Sequence, residues 1–138
     1  MTTASSGKVP ASDEAAAQTM KNQSFLNRLG YAANGLAAAL KREASFRTQT
    51  LLAAAAAVVL ALLRPPLLWI ALCILSAAAV LALELINTAL EQLADHLHPG
   101  THAAIRTAKD CAAAAVLIGA AAAVIVGLLT VAVSLRWI

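Results

Sequence analysis

The chain has 138 residues, 61% of them apolar and only 12% charged, with a net charge of +3; an average soluble domain is roughly 45–50% apolar and about 25% charged. Ten basic and seven acidic residues cannot cover a water-facing surface, so a soluble globular domain is excluded and the bilayer is the solvent this composition fits. Cys73 and Cys111 lie in or beside apolar segments, which excludes a disulfide-stapled secreted domain, and basic residues that flank apolar segments instead of forming one stripe exclude a nucleic-acid binder.

Residues 1–23 mix Thr, Ser, Pro, Asp, Glu and Lys without an apolar h-region, so they read as a disordered tail and not as a cleavable signal peptide. A single domain over 24–138 follows. Its first element, about 24–44, has a helical period: Phe25, Leu26, Leu29, Ala33, Leu36 and Leu40 fall within an arc of about 100°, opposite Asn27, Arg28, Tyr31, Asn34, Lys41 and Arg42. The expected setting is the membrane interface, with the core face of a soluble hairpin as the alternative. Gly30 and Gly35 each weaken this helix by up to about 1 kcal/mol relative to Ala, an expense that a close approach of another backbone or a ligand explains.

Three uncharged windows come next: 48–63, 65–83 and 111–135, of 16, 19 and 25 residues. They approach or exceed the about 20 residues needed to cross about 30 Å of hydrocarbon as helix. Three transmembrane helices are predicted, over about 47–63, 66–96 and 105–135. Pro65-Pro66 after Arg64 ends the first before the second begins. With three spans, Lys8, Lys21, Arg28, Lys41, Arg42, Arg47, Arg106 and Lys109 share one side and Arg64 and Arg136 the other. The positive-inside rule puts the first side, with the N-terminus, in the cytoplasm.

The second span carries the most informative stretch, Glu84-Leu-Ile-Asn87-Thr-Ala-Leu-Glu91-Gln-Leu-Ala-Asp95. With Glu84 at zero, Asn87 lies at about 300°, Glu91 at about 340° and Asp95 at about 20°, one polar face on a helix of Leu, Ile and Ala. A charged group at membrane depth costs about 2.5–3.5 kcal/mol on insertion scales, so this face is expected to point into a bundle and mark function. Emergence of the helix into water near Glu84 is the plainer alternative, strongest for Asp95. Converging carboxylates repel and call for a cation, and hard oxygen ligands suit Mg²⁺. Glu43, where the surface helix meets the first span, and Lys109-Asp110, at the start of the third, bring further charge to the same level. A lysine, carboxylates and a divalent metal are the equipment of phosphoryl transfer. The Walker A loop and the H-R-D and D-F-G motifs of soluble kinases are absent. An ion- or proton-coupled transport subunit would also place Glu84 and Lys109 inside a bundle, and 36 alanines would equally suit a purely structural helical membrane protein. His96, His98 and His102, around Pro99-Gly100, read as a surface loop rather than a metal site.

Glu84-Leu85-Ile86-Asn87-Thr88-Ala89-Leu90-Glu91, followed by Asp95, His102 and Ala108-Lys109-Asp110, resembles the motif of the small prokaryotic diacylglycerol kinases, a family of integral membrane lipid kinases that includes undecaprenol kinases. Gly30-Tyr31 and Lys41-Arg42-Glu43-Ala44-Ser45-Phe46-Arg47 resemble that family's surface helix and its junction with the first span, and the resemblance covers roughly 24–132. It implies an all-α membrane bundle of a surface helix and three spans, a homotrimer with active sites shared between subunits, and transfer of the γ-phosphoryl of MgATP to a lipid hydroxyl. Carried over by position, it makes Glu84 the general base and Asn87 its orienting partner. Glu43 and Glu91 become Mg²⁺ ligands, and Tyr31, Lys109, Asp110 and His102 contact ATP. Arg28, Ser45, Phe46, Arg47, Gln49 and Ala113 fall on the lipid side. Family members active on diacylglycerol often carry a serine where Ala113 stands, a carboxylate where Gln49 stands and an arginine near Ser24. The Ala113 form resembles the undecaprenol kinase branch. Diacylglycerol is the acceptor expected here, with undecaprenol as the alternative.

Overall fold

The computed structural model describes residues 24–100 and 102–135; the expected tail over 1–23 lies outside the described residues. All regular structure among the described residues is helical: α1 (Phe25–Arg42), α2 (Ala44–Leu63), α3 (Leu67–Leu97) and α4 (Ala103–Ser134). The last three are long and apolar enough to cross a membrane. At 31 and 32 residues, α3 and α4 exceed the about 20 that hydrocarbon requires. Apart from Glu84, midway along α3, their charged residues stand toward the ends that meet at the α3–α4 turn: Glu91 and Asp95 on α3, Arg106, Lys109 and Asp110 on α4.

Each junction follows from its local sequence. Between α1 and α2 stands one residue, Glu43, with extended φ of −101° and ψ of 115°. Its N–H donates to Ala39 O at 2.9 Å and its carbonyl accepts from Arg47 N–H at 3.2 Å, so it closes one helical ladder and opens the next. For this reason α2 begins at Ala44, three residues before the expected start. The Arg47 guanidinium reaches back to the carbonyls of Lys41 at 3.1 Å and Leu40 at 3.4 Å. Those carbonyls are among the last four of α1, which have no partner within their own helix and attract a cation. At the other end of α2, Arg64 takes the left-handed conformation (φ 48°, ψ 55°) and its N–H donates to Leu60 O, after which Pro66, with φ of −53°, caps the start of α3. Between α3 and α4, His98 ends the first helix and His102 caps the second, its Nδ1 accepting the Ala104 N–H at 3.3 Å. His96 belongs to the last turn of α3, which runs to Leu97, and not to the expected loop.

The chain divides into two compact units, one up to Leu36 and one from Ala37 onward. In the first, the described residues are the initial turns of α1, all exposed. Open space stands where a Cβ would sit on Gly30 and on Gly35, so the close approach expected at these glycines is not made among the described residues. In the second, α3 packs along α4 and α2 lies against both.

Burial in this second unit is inverted relative to a soluble protein. Its few buried residues include Glu84, Thr88 and Thr130 beside Ala39, Phe46, Val80 and Val116, while Leu51, Leu62, Leu75, Leu117 and Ile118 face outward. Lipid tails are as apolar as leucine, so helices here associate through close packing and polar contacts. Gly119 supplies the first: a Cβ there would come within 2.8 Å of Leu83 Cδ1. Thr130 supplies the second. Its hydroxyl donates to Val126 O at 2.8 Å and lies 3.2 Å from Cys73 Sγ, joining α4 to α3 far from the charged turn.

Candidate active site

On α3 the buried residues are Val80, Glu84 and Thr88, a spacing of four that defines one face of a helix. Along it, toward the α3–α4 turn, come three polar pairs in succession. Glu84 is 4% exposed, and its Oε2 accepts a hydrogen bond from Gln49 Nε2 of α2 at 3.1 Å. Half-buried Glu91, about 10 Å further along the axis, accepts from Asn87 Nδ2 through Oε1 at 3.1 Å. Asp95 is exposed and accepts from Lys109 Nζ of α4, the ion pair found among the described residues.

The ladder of pairs opens into a pocket of about 630 Å³ at the α3–α4 turn, lined by Asp95, Lys109 and Asp110 together with His98, His102 and Arg106. Because the His102 ring accepts at Nδ1, its neutral form carries the proton on Nε2, which remains a donor. A buried carboxylate at one end and a water-open pocket of mixed charge at the other, with Lys109 and Arg106 beside Asp95 and Asp110, are joined by one helix face. Such an arrangement holds a proton acceptor in the apolar layer and offers Lys109 and Arg106 as hydrogen-bond donors at the water-open end.

Both amides in the ladder spend their donors on carboxylates and leave acceptors over: Gln49 Oε1 and Asn87 Oδ1 are buried with no hydrogen-bond partner. Buried polar atoms without partners are costly and uncommon. Among the described residues no cluster of three His, Cys, Asp or Glu side chains is formed that could hold a metal unaided. This donor set does fit Mg²⁺, which keeps several waters and is commonly held by one or two carboxylates together with substrate phosphates. Glu91, with the bare Asn87 oxygen beside it, supplies hard oxygen ligands of that kind.

The remaining expected site residues fall into distinct groups. Glu43 is half-buried at the α1–α2 joint and makes no side-chain cap to α2. Phe46 is only 1% exposed, Ser45 is exposed beside it, and Arg47 is engaged with the end of α1. Ala113 and Asp110 are exposed on α4, and Arg28 and Tyr31 are exposed on α1 in the first unit. Sequence reasoning missed the bond between Gln49 and Glu84 and the presence of His98 and Arg106 in the pocket lining. No single-chain periodicity relates positions 49 and 84, which are 35 residues apart on different helices.

Comparison with known proteins converges on one class, the membrane lipid kinases. The model of the prokaryotic diacylglycerol kinase family matches residues 30–131. A diacylglycerol kinase of Synechocystis sp. is 36% identical over 126 residues, covering 86% of this chain and 72% of that one. The chain belongs to the prokaryotic diacylglycerol kinase family and is a lipid kinase.

Proposed function

We propose that this chain transfers the γ-phosphoryl group of ATP to the hydroxyl of diacylglycerol, giving phosphatidic acid at the cytoplasmic face of the inner membrane. The observation that carries the reading is the buried Glu84 carboxylate at the apolar end of a polar ladder whose other end opens into the pocket containing Lys109. An alcohol is a poor nucleophile, and a carboxylate within hydrogen-bond reach takes its proton as the bond to phosphorus forms. Glu84 is placed for a hydroxyl arriving from lipid. Asn87, by its bond to Glu91, keeps that carboxylate turned along the same face.

Lys109, Asp110, His102 and Tyr31 bind ATP in this reading, and Glu91 and Glu43 hold Mg²⁺. The metal supplies charge neutralisation on the phosphates. Ser45, Phe46, Arg47, Arg28, Gln49 and Ala113 form the lipid side. The amphipathic α1 lies in the interface, and the active site is completed in a homotrimer, since one chain leaves much of its polar face half-exposed. Orientation follows the distribution of basic residues.

Lys109→Met separates structural from functional roles. Its pair with Asp95 is partly exposed, at 31% and 68% for the two side chains, and exposed pairs contribute about 0–1 kcal/mol. The thermal midpoint in detergent should therefore scarcely move, while the KM for MgATP rises about tenfold or more. An unfolded variant would contradict this division.

The acceptor is tested with the purified protein in mixed micelles containing Mg²⁺ and radiolabelled ATP, offered diacylglycerol and undecaprenol in parallel. Transfer to diacylglycerol supports the proposal. Transfer to undecaprenol alone moves the chain to the other branch, which the alanine at position 113 favours.

A further inference from the structure

A base that removes a proton must be accommodated in both of its protonation states, and among the described residues Gln49 is the one side chain that hydrogen-bonds Glu84. Gln49 Nε2 donates to Glu84 Oε2 at 3.1 Å, and the carboxylate is 4% exposed, so water is largely excluded from it. Gln49 Oε1 is buried and has no hydrogen-bond partner. A primary amide carries its donor and its acceptor on one carbon, and a half-turn about the terminal bond exchanges them. That terminal torsion is soft. Had Oε1 been held by a second donor, the half-turn would break an existing bond; none holds it.

Resting on the lipid-kinase reading above, we propose that Gln49 is the positioning residue of the base: its amide donates to Glu84 while the carboxylate is ionised, and turns to accept from Glu84 once the carboxyl has taken the acceptor's proton. In the transfer, the O–H bond of the lipid hydroxyl breaks and its proton passes to a Glu84 oxygen. The hydroxyl oxygen bonds to the γ-phosphorus, and the bond from that phosphorus to the bridging oxygen breaks, its electron pair leaving on ADP. Glu84 has then changed from acceptor to donor. Gln49 Oε1 is the acceptor within reach of a half-turn, so the protonated carboxyl is not left unsatisfied in an apolar layer. The side chain at 49 has to offer both a donor and an acceptor for this, and a methionine of similar length supplies neither.

The plainer role for this bond is to tie α2 to α3, as interhelical amide contacts do in membranes. A double-mutant cycle on phosphoryl transfer separates the two. Wild type, Gln49→Met, Glu84→Gln and the double variant are compared as full chains in mixed micelles, with radiolabelled ATP to read residual rates and size-exclusion profiles to confirm the folded species. Gln49→Met is expected to lower kcat about tenfold or more with the KM for MgATP within about twofold, and to change the residual rate of Glu84→Gln by less than about twofold. Equal fold-losses in the two backgrounds, or an unchanged kcat in Gln49→Met, overturn the proposal. A wild-type chain that transfers to no lipid hydroxyl overturns the lipid-kinase reading itself, before any variant is compared.

Discussion

Glu84→Gln is expected to keep its affinity for MgATP and lose about 10²–10⁴-fold in kcat, the range a positioned general base supplies. The substitution is nearly isosteric and neutral. An amide at position 84 can still accept from Gln49 Nε2, so the contact that joins α2 to α3 survives. What disappears is the capacity to take a proton. The pocket at the α3–α4 turn is eleven residues along the helix from Glu84, about 16 Å, and Glu84 does not line it. Nucleotide binding measured by calorimetry should therefore remain while transfer measured with radiolabelled ATP falls. Loss of both together would sink the assignment of Glu84 as base.

The second large effect is expected at Glu91. Here Glu91→Gln retains an oxygen for the Asn87 Nδ2 donor, so the local geometry persists, but a charged hard ligand becomes neutral. Binding of MgATP is expected to weaken by about 100-fold, equivalent to roughly 2.7 kcal/mol, with partial recovery as Mg²⁺ is raised. Titration of the variant with nucleotide at several Mg²⁺ concentrations reads this directly. A loss of kcat with unaltered Mg²⁺ dependence would remove Glu91 from the metal site and place it with Glu84 in the chemistry.

The helices and the carboxylate face were legible in the sequence because each depends on residues near one another in the chain. Uncharged windows announce spans, and the period of 3.6 residues aligns Glu84, Asn87, Glu91 and Asp95 without knowledge of any other helix. Burial of Glu84 follows from the same arithmetic. Helix ends were less legible: one extended residue at Glu43 suffices to turn α1 into α2, and no composition change marks it. Contacts between helices were least so. That Gln49 meets Glu84, and that Lys109 meets Asp95, depends on how three helices are set against one another, which hydrophobic patterning does not encode. The family resemblance puts Gln49 on the lipid side; its partner, Glu84, follows from how α2 is set against α3.

The inverted interior, with Glu84, Thr88 and Thr130 buried and most large aliphatic side chains outward, alters what unfolding means for this molecule. Separating the helices within a bilayer exchanges protein for lipid around leucine and alanine and brings little apolar surface into water. The heat-capacity increment that curves the stability of soluble domains arises from that hydration, so it should be small here, and cooling should weaken the bundle little. Resistance to urea would say correspondingly little about how firmly α2, α3 and α4 hold together. The work of separation is concentrated in a handful of polar atoms and close approaches, and a detergent that competes for helix surfaces is the agent that measures it.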